Sequence, residues 1–561
     1  MAAVGFGAYR GYGVWRKKHL ARQTQNFFDR GDYQSAVLVA RQLLQRDPDS
    51  LAASRVMADT GELAGRPEAL AWRERVVALE PNVPANKVAL AATALRFGQL
   101  DLARKVLDTI KTETRGSLKY HQLAGAIAVT DKNAVLAETE FAAALQLEPD
   151  NQQLALNLAT VRLTFPDVAA KEKARAELVK LAEQSELRVE ALRALVSDAL
   201  SHRSLVTAEK WAAELKGEKG ATFPDLLLYL EATQKTEAGE TALREAQAHA
   251  AKSPGTASAL ITWMNRHGMA RPALAWALAL PTEVLNAQPV PLAVAEAYSF
   301  LQDWIALKAW VEGKDWGSEE CLRLAVESHA LHHLTPGDRS SMESQTAWNA
   351  ALKATKARPA HLVAIAQLAE GWGYADYAAD AWWVIANGDE NAKEALTALQ
   401  RLYKSKQNSH GLLRVAKRAL ELNPADLVAA NNCASLGLLL TGDSSARRLA
   451  TKLHKENPTN AIFSTTYAFA LFTEGKTNDA LKMMETLKEA QLRHPAVAAY
   501  YFVMLVENGS MERAHLFLSA ANKAQLLPEE QQLLTTATRK LLQHDSQNVV
   551  KSVAAADRVA P

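Results

Sequence analysis

Residues 475–487 read GKTNDALKMMETL, and residues 509–521 read GSMERAHLFLSAA. In both stretches a glycine stands five positions before an alanine, and apolar residues follow that alanine at offsets of four and seven. Glycine tolerates the left-handed backbone that ends a helix, and the offsets of four and seven lie on one helical face. The two alanines, Ala480 and Ala514, are 34 positions apart. The stretches therefore predict one helix–turn–helix unit that occurs twice.

The same interval recurs at both ends of the chain. A period near 34 residues indicates stacked helix–turn–helix units and outweighs any local interpretation. The small alanine lets two antiparallel helices approach closely, because a larger side chain there would cost about 1–3 kcal/mol through overpacking. The alanines at steps of 33 or 34 are Ala36, Ala69, Ala103 and Ala137, then Ala446, Ala480 and Ala514.

Three short motifs match a known repeat family. They are GDYQSA at 31–36, LQLEP at 145–149 and LELNP at 420–424. With these motifs the chain resembles the tetratricopeptide repeat (TPR) family, although several turns lack glycine and the tryptophan common early in the first helix is mostly replaced by smaller residues. The resemblance implies an all-α fold, a right-handed α-solenoid in which the first helix of each repeat lines a concave surface. It also implies that the protein binds other proteins.

The period continues through the middle of the chain with two irregular intervals. One is long enough for an extra unit near Ala174, and the other indicates a lengthened loop around residues 335–338. The resulting prediction is about 15 repeats between residues 17 and 528. The positions assigned to the middle repeats are Ala208, Ala242, Ala273, Ala306, Ala347, Ala378 and Leu412.

The pattern predicts six segments. Pro528, followed by Glu529 and Glu530, is a typical helix start, and the end of a repeat stack needs a polar outer face. The segments are an apolar and basic N-terminal segment (1–19), N-terminal repeats (20–165), divergent Trp-rich repeats (166–345), C-terminal repeats (346–528), a capping helix (529–544) and a disordered tail (545–561).

Composition agrees with an all-α repeat protein and narrows its function. Apolar residues make up 48% of the 561 residues, and a solenoid escapes the size limit of a single core because each repeat packs only on its neighbours. The formal net charge is +2, so there is no general electrostatic argument for nucleic-acid binding. The two cysteines, Cys321 and Cys433, lie on separate units and exclude a disulfide framework or a four-cysteine zinc site.

The first 15 residues, MAAVGFGAYRGYGVW, are apolar and aromatic apart from Arg10, and basic residues follow at once. They are too few to cross a bilayer core, which takes about 20 residues. Three interpretations stay open: a truncated membrane anchor, a short interfacial segment, and a disordered tail. We expect membrane association through the N-terminus, of a bacterial type, with the repeats in the cytoplasm. The alternative is a soluble cytoplasmic protein.

Catalytic motifs are scarce in the sequence. No phosphate-binding loop, HExxH or GxSxG motif occurs. His329, His332 and His333 are weak candidates for a metal site because they share one side of a helix. We expect no enzyme activity and no cofactor. The alternatives are a metal-dependent enzyme and a nucleic-acid-binding helical repeat protein.

The C-terminal repeats supply the candidate partner site. Side chains on two successive first helices recur at steps of three and four, which indicates a common face for a partner segment. The partner is therefore expected to be another protein, not nucleic acid. In the Trp-rich part, Trp382 and Trp383 point about 100° apart, so we expect one of them to be exposed or to lie between repeats. The candidate partner-binding residues are Phe469, Phe472, Tyr500, Val503 and Val506.

Overall fold

The computed structural model describes residues 2–334, 338–356, 358–388 and 391–556. Within these ranges the side chains are described too, except those of residues 2–14, 113, 338–341 and 549–556. Throughout these residues the regular structure is helical, and no strand occurs. The all-α fold predicted from the sequence is therefore confirmed. The chain divides after Ala250 into two compact units, which we call unit 1 and unit 2.

Unit 1 consists of consecutive helix pairs joined by short turns, with one 3-10 turn at Thr112–Thr114. The pairs are α1 Ala2–Asp29 with α2 Tyr33–Arg46, α3 Leu51–Leu63 with α4 Ala69–Leu79, α5 Pro84–Arg96 with α6 Leu100–Asp108, α7 Leu118–Thr130 with α8 Ala134–Leu147, α9 Gln152–Arg162 with α10 Val168–Leu181, α11 Arg188–Ser201 with α12 Leu205–Gly217, and α13 Phe223–Thr233 with α14 Glu237–Ala250.

Unit 2 continues the pairing and ends in one long helix, with a 3-10 turn at Gly317–Glu319. Its helices are α15 Pro254–Arg266 with α16 Ala270–Leu278, the short α17 Thr282–Leu285, α18 Val290–Phe300 with α19 Trp304–Val311, α20 Glu320–Leu334 with α21 Asp338–Ala354, α22 Pro359–Gly371 with α23 Ala375–Ala386, α24 Ala392–Ser405 with α25 Ser409–Leu422, α26 Leu427–Leu440 with α27 Ser444–Glu456, α28 Ala461–Thr473 with α29 Thr477–Met484, the short α30 Glu489–Leu492, α31 Pro495–Glu507 with α32 Met511–Ala521, and α33 Pro528–Ala556.

The turns within the pairs explain the glycine signal. Gly475 follows α28 with φ of 77°, and its N–H donates to the carbonyl of Phe472 at 2.9 Å. Where glycine is missing, another residue adopts the same left-handed backbone, as Lys132 does after α7 with φ of 57°. The left-handed backbone costs a non-glycine residue only about 1–2 kcal/mol. The turn therefore forms without glycine, but it can no longer be recognised in the sequence.

The periodic alanines are buried where the two helices of a pair cross. Ala480 and Ala514 have no exposed surface, and Ala446 in α27 is 4% exposed. Opposite Ala446, α26 has Gly437, and a Cβ added to that glycine would lie 2.9 Å from the Ala446 Cβ. The small residues therefore set the distance between the helices.

At three crossings the predicted position is wrong by one or three residues. Ala306, Ala347 and Leu412 are only half-buried. The crossings are closed instead by Leu307 in α19, by Ser344 in α21 and by Gly411 in α25, all of which are buried. Ser344 exchanges hydrogen bonds with Ser328 of the partner helix α20 (Ser344 Oγ to Ser328 O, 3.0 Å). At the crossings of α20 with α21 and of α24 with α25, serine and glycine substitute for alanine through a local hydrogen bond or small size, whereas α19 has the larger Leu307.

Gly437→Leu should lower the free energy of unfolding by about 1–3 kcal/mol, because the new side chain overpacks the crossing with Ala446. Gly371→Leu is the matched control, since an added Cβ there meets no atom within 4 Å. It should leave stability unchanged or raise it by up to about 1 kcal/mol through helix propensity. Urea unfolding followed by circular dichroism measures both. Equal effects of the two variants would contradict the close crossing.

One predicted segment boundary, at residue 544, differs from the structure, and the bounds of the Trp-rich segment stay a prediction. The division after Ala250 falls inside the predicted Trp-rich segment 166–345 and coincides with neither of its ends. Helix α33 begins at Pro528 as expected but continues to Ala556, past the predicted end at residue 544. At the start of the extension, an oxygen of Asp545 lies 3.1 Å from Nε2 of His515 in α32. Most of the predicted long loop, residues 335–337, lies outside the described residues.

Candidate functional site

The five candidate residues of the C-terminal repeats lie together but are mostly covered. Phe469 in α28 and Tyr500 in α31 contact each other edge to face, with ring centroids 4.8 Å apart. Phe469, Val503 and Val506 are buried, and Phe472 and Tyr500 are half-buried. The five side chains belong to one hydrophobic cluster, and most of them are closed to solvent.

The start of α33 covers Tyr500. The Tyr500 hydroxyl donates to Glu530 Oε1 at 2.5 Å, and the other oxygen of Glu530 accepts from the N–H of Leu527 at 2.9 Å. The neighbouring Glu529 accepts a hydrogen bond from Ser409 Oγ of α25 at 2.5 Å. Burial and the Glu530 carboxylate raise the pKa of Tyr500 well above its usual value, so its phenol remains a donor. Residues 526–530 thus act as an internal cover of Tyr500.

No sequence signal could have located this cover. Ser409 and Glu529 are 120 residues apart along the chain. A repeat period predicts contacts between adjacent repeats. Residues 526–530, in contrast, contact a helix that lies several repeats earlier in the chain. The capping helix itself was recognisable from Pro528, but not the surface on which its first residues rest.

The histidine candidates form an aromatic cluster around Tyr374. His329 Nδ1 is 2.9 Å from the Tyr374 hydroxyl, which is 3.1 Å from His333 Nε2. The His329 ring stacks on Trp372 (centroids 4.2 Å) and the His333 ring stacks on Trp304 (3.9 Å). Because a phenol has one proton and two lone pairs, it can donate to one imidazole and accept from the other.

Burial determines the chemistry of this cluster. It lowers the pKa of His329 to about 3, with further contributions from His333 and His332. Burial also raises the pKa of Tyr374. The imidazole of His329 and the phenol are therefore neutral at physiological pH, and the nitrogens that face Tyr374 are already hydrogen-bonded. Within the described residues, no three His, Cys, Asp or Glu side chains are grouped closely enough to hold a metal ion.

Unit 1 contains a groove that the sequence analysis missed. A cavity of about 1120 Å³ lies along α7, α9 and α11, and a second of about 800 Å³ lies along α5 and α7. The two cavities adjoin at Ala126, which lines both. We call them together the unit 1 groove. Its floor is formed largely by small apolar side chains, which are Ala85, Val88, Ala89, Ala92, Ala126, Val129 and Ala194.

Polar side chains interrupt this floor. Arg193 of α11 makes two hydrogen bonds to the buried Asp225 of α13 (2.7 and 2.8 Å), so its charge is already neutralised. In contrast, Gln122 and Ser197 have no side-chain hydrogen bond to any described residue. The groove can therefore offer amide and hydroxyl groups to a bound chain. The groove-lining positions alternate with buried residues along the same helices. A single sequence does not distinguish the groove-lining positions from the buried ones.

The N-terminal segment is described only in part. Residues 2–14 belong to α1, but their side chains lie outside the described part of the structure. Trp15 is 58% exposed and stacks on His19. Across the residues that the structure describes, none of the helices combines the length and apolar character needed to span a bilayer.

No family model matches the chain, and no curated protein sequence matches it. Among solved structures, Pseudomonas aeruginosa PilF aligns at 15% identity over 40% of this chain and 99% of that chain, with a TM-score of 0.32. The APC/C hetero-tetramer Cut9–Hcn1 aligns at 12% identity over 82% and 98%, with a TM-score of 0.33. The Naa15/Naa10 complex bound to HypK-THB aligns at 16% identity over 97% and 80%, with a TM-score of 0.26.

At TM-scores below 0.5, nothing about function or partners is carried from these proteins to this chain. The fold rests on the molecule's own geometry. Its helices pair through left-handed turns, and small residues recur about every 34 positions where the paired helices cross. The chain has the fold of a tetratricopeptide-type repeat protein.

Proposed function

We propose that the protein is an interaction scaffold and that the unit 1 groove holds an extended segment of a partner protein. The observation that carries the proposal is the groove itself, which runs along α5, α7, α9 and α11 with an apolar floor. Apolar surface that a partner can cover supplies the main driving force for association. The alanines on the floor leave room for a peptide backbone to approach the helices.

The polar groups of the groove support a peptide as the ligand. An extended chain presents N–H and C=O groups that need partners when they leave water. Gln122 in α7 and Asn157 in α9 have amides that can both donate and accept, and Ser197 in α11 adds a hydroxyl. Groups of this kind bind a backbone regardless of its sequence, so specificity would come from side chains that enter the cavities.

Phe469, Phe472, Tyr500, Val503 and Val506 form a second proposed surface for the same function. Phe469, Val503 and Val506 belong to the hydrophobic core, so a partner can reach them only if the packing of α28 and α31 opens, and it can reach Tyr500 only if residues 526–530 leave the positions that they occupy beside Tyr500 and Ser409. The hydrogen bonds of Glu529 and Glu530 would then be replaced by contacts with the partner. We therefore expect this surface to bind more weakly than the open groove of unit 1.

Membrane association through the N-terminus, with the repeats on the cytoplasmic side, also remains a proposal. Its support is the exposed Trp15 beside the basic residues 16–18, because aromatic and cationic side chains favour the lipid boundary. Flotation with vesicles that contain phosphatidylserine tests it. Trp15→Ser should reduce the floated fraction, and an unchanged fraction would count against the proposal.

Photo-crosslinking in the native cells tests the groove. A benzoyl-phenylalanine at Val129 or at Ser197 should give the same partner adduct. The same group at Val206, which is 84% exposed on α12 and lines no part of the groove, should not. Asn157→Arg combined with Ala194→Arg should abolish the adduct, because two bulky cations would fill the floor.

The crosslinked segment is then synthesised and its affinity for the purified chain is measured. We expect roughly a tenfold or greater loss of affinity in the Asn157→Arg/Ala194→Arg variant, equivalent to about 1.4 kcal/mol or more. Identical adducts from Val206, or equal affinity of the variant for the segment, would show that the partner binds elsewhere.

A further inference from the structure

Cations are concentrated on two helices of unit 2. The whole chain is nearly neutral, with a net charge of +2, yet α25 and α27 have several cations and few carboxylates. Such a local excess creates a positive potential that a neutral total conceals. The cations are Arg414, Lys417, Arg418, Arg447, Arg448, Lys452 and Lys455, and the carboxylates are Glu421 and Glu456.

Three of these cations already have partners. Arg414 lies over the ring of Trp383 at 3.8 Å from its centroid, Arg418 bonds to Glu421 at 3.2 Å, and Arg447 bonds to the carbonyl of Gly442. The carboxylate nearest to the start of α27, Asp443, caps that helix by accepting from the N–H of Ala446 at 2.8 Å. These groups contribute little to the binding of a ligand.

The remaining four cations are exposed and loosely held. Among the described residues, neither Lys417 nor Lys455 has an ion-pair partner. Lys452 lies 4.0 Å from Glu456, and both side chains are more than half exposed. In the described part of the chain, the Arg448 side chain makes one hydrogen bond, to the Ser444 hydroxyl of its own helix at 3.2 Å. Exposed pairs of this kind contribute little to folding, so folding alone does not account for the charge.

A groove lies between these cations. A cavity of about 600 Å³ between α25 and α27 has Leu420, Cys433 and Leu449 on its floor. Three cations line it, Lys417, Arg448 and Lys452, against two carboxylates, Glu421 and the helix-capping Asp443. Burial raises the pKa of Cys433 to about 11, so the thiol stays protonated and behaves as a small apolar group. A second cavity, of about 710 Å³, extends along α27 past Lys455.

We propose that this groove binds an acidic amphipathic segment of a partner protein, with carboxylates on the cations and apolar side chains on the leucine floor. The charge of the rim and the apolar floor together select that chemistry. Single-stranded nucleic acid fits less well, because bases stack on aromatic rings and no ring lines either described cavity. This surface is separate from the unit 1 groove and goes beyond the function proposed for it.

A labelled synthetic peptide with leucines on one helical face and glutamates on the other tests the proposal by fluorescence anisotropy with the full chain. We expect binding that weakens as salt is added. The triple variant Lys417→Glu/Arg448→Glu/Lys452→Glu should bind the peptide roughly tenfold or more weakly, because three cations that attract its glutamates are replaced by carboxylates that repel them. A peptide with glutamine in place of glutamate should bind weakly to both proteins.

The matched control reverses three exposed cations elsewhere in unit 2, Lys393→Glu/Lys404→Glu/Lys523→Glu. It removes the same formal charge and should leave peptide affinity within about twofold of the wild type. The proposal is overturned if the wild type does not bind the peptide, or if both triple variants lose affinity equally. It is also overturned if generic RNA or phosphatidylserine vesicles compete for the groove more strongly than the peptide does.

Discussion

Arg193→Ala is expected to lower the free energy of unfolding of the α11–α13 region by about 3 kcal/mol. The substitution leaves Asp225, which is 1% exposed, as a buried carboxylate without a counter-ion. Breaking a buried ion pair from one side costs about 3–5 kcal/mol. We expect the lower end because Asp225 retains hydrogen bonds from the Thr222 N–H (2.7 Å) and hydroxyl (2.9 Å). Hydrogen exchange of the α11–α13 amides measures the change locally.

A double-mutant cycle and an arginine whose carboxylate partners are only half-buried supply the controls. The Arg193→Ala/Asp225→Ala variant should be less destabilised than Arg193→Ala alone, because the isolated charge is then gone. Arg188→Ala removes ion pairs to Glu214 and Glu218, whose side chains are 34% and 31% exposed, and should cost about 1 kcal/mol or less. If Arg193→Ala and Arg188→Ala had the same effect, burial of Asp225 would not be the cause.

Acid is expected to destabilise unit 2 through His329. The pKa of His329 is about 3 in the folded chain and 6.5 without burial. Between pH 6.5 and pH 3, His329 is therefore protonated in the unfolded chain but not in the folded chain. The stability from this group is present above pH 6.5 and is lost as the pH falls toward 3. The loss is about 1.4 kcal/mol per pH unit, or about 2–3 kcal/mol between pH 6.5 and 4.5.

Urea unfolding followed by tryptophan fluorescence suits this measurement, because Trp372 and Trp304 contact the His329 ring. His329→Gln should remove most of the extra acid sensitivity. The control His332→Gln, at an exposed imidazole of the same helix, should keep it. Burial also lowers the pKa of His333, so a smaller sensitivity of the same sign should persist in both variants. If the free energy of unfolding of His329→Gln fell with pH as steeply as that of the wild type, the titrating group would be another residue.

Local residue size and turn chemistry were enough to predict the fold. Ala480 and Ala514 with their preceding glycines identify the helix pairs, because close crossing and a left-handed turn are requirements of each pair by itself. The same reasoning failed at Ala347, where Ser344 closes the crossing. A search for periodic alanines does not find a serine that brings the two helices equally close through a hydrogen bond.

Contacts beyond the nearest neighbour could not be predicted. Trp382 and Trp383 are both buried, because α23 has a helix on either side, and of the two expected outcomes it is the second, a tryptophan between repeats, that the structure has. The indole N–H of Trp382 donates to Glu370 of α22, and that of Trp383 donates to the Tyr403 hydroxyl of α24. The cover of Tyr500 by Glu530 escaped detection for the same reason, since it joins elements that the repeat pattern treats as distant.

The hydrogen bond between Ser409 and Glu529 changes how the C-terminal repeats should respond to pulling force. A stack with contacts only between neighbours can be peeled from its end one repeat at a time. Here a tether applied at the C-terminus acts first on α33, whose start is bonded both to Tyr500 and to Ser409. The bond between Ser409 and Glu529 closes a loop of 120 residues. The repeats inside that loop are loaded together once the bonds break, so their extension is released in one large step instead of a series of small ones.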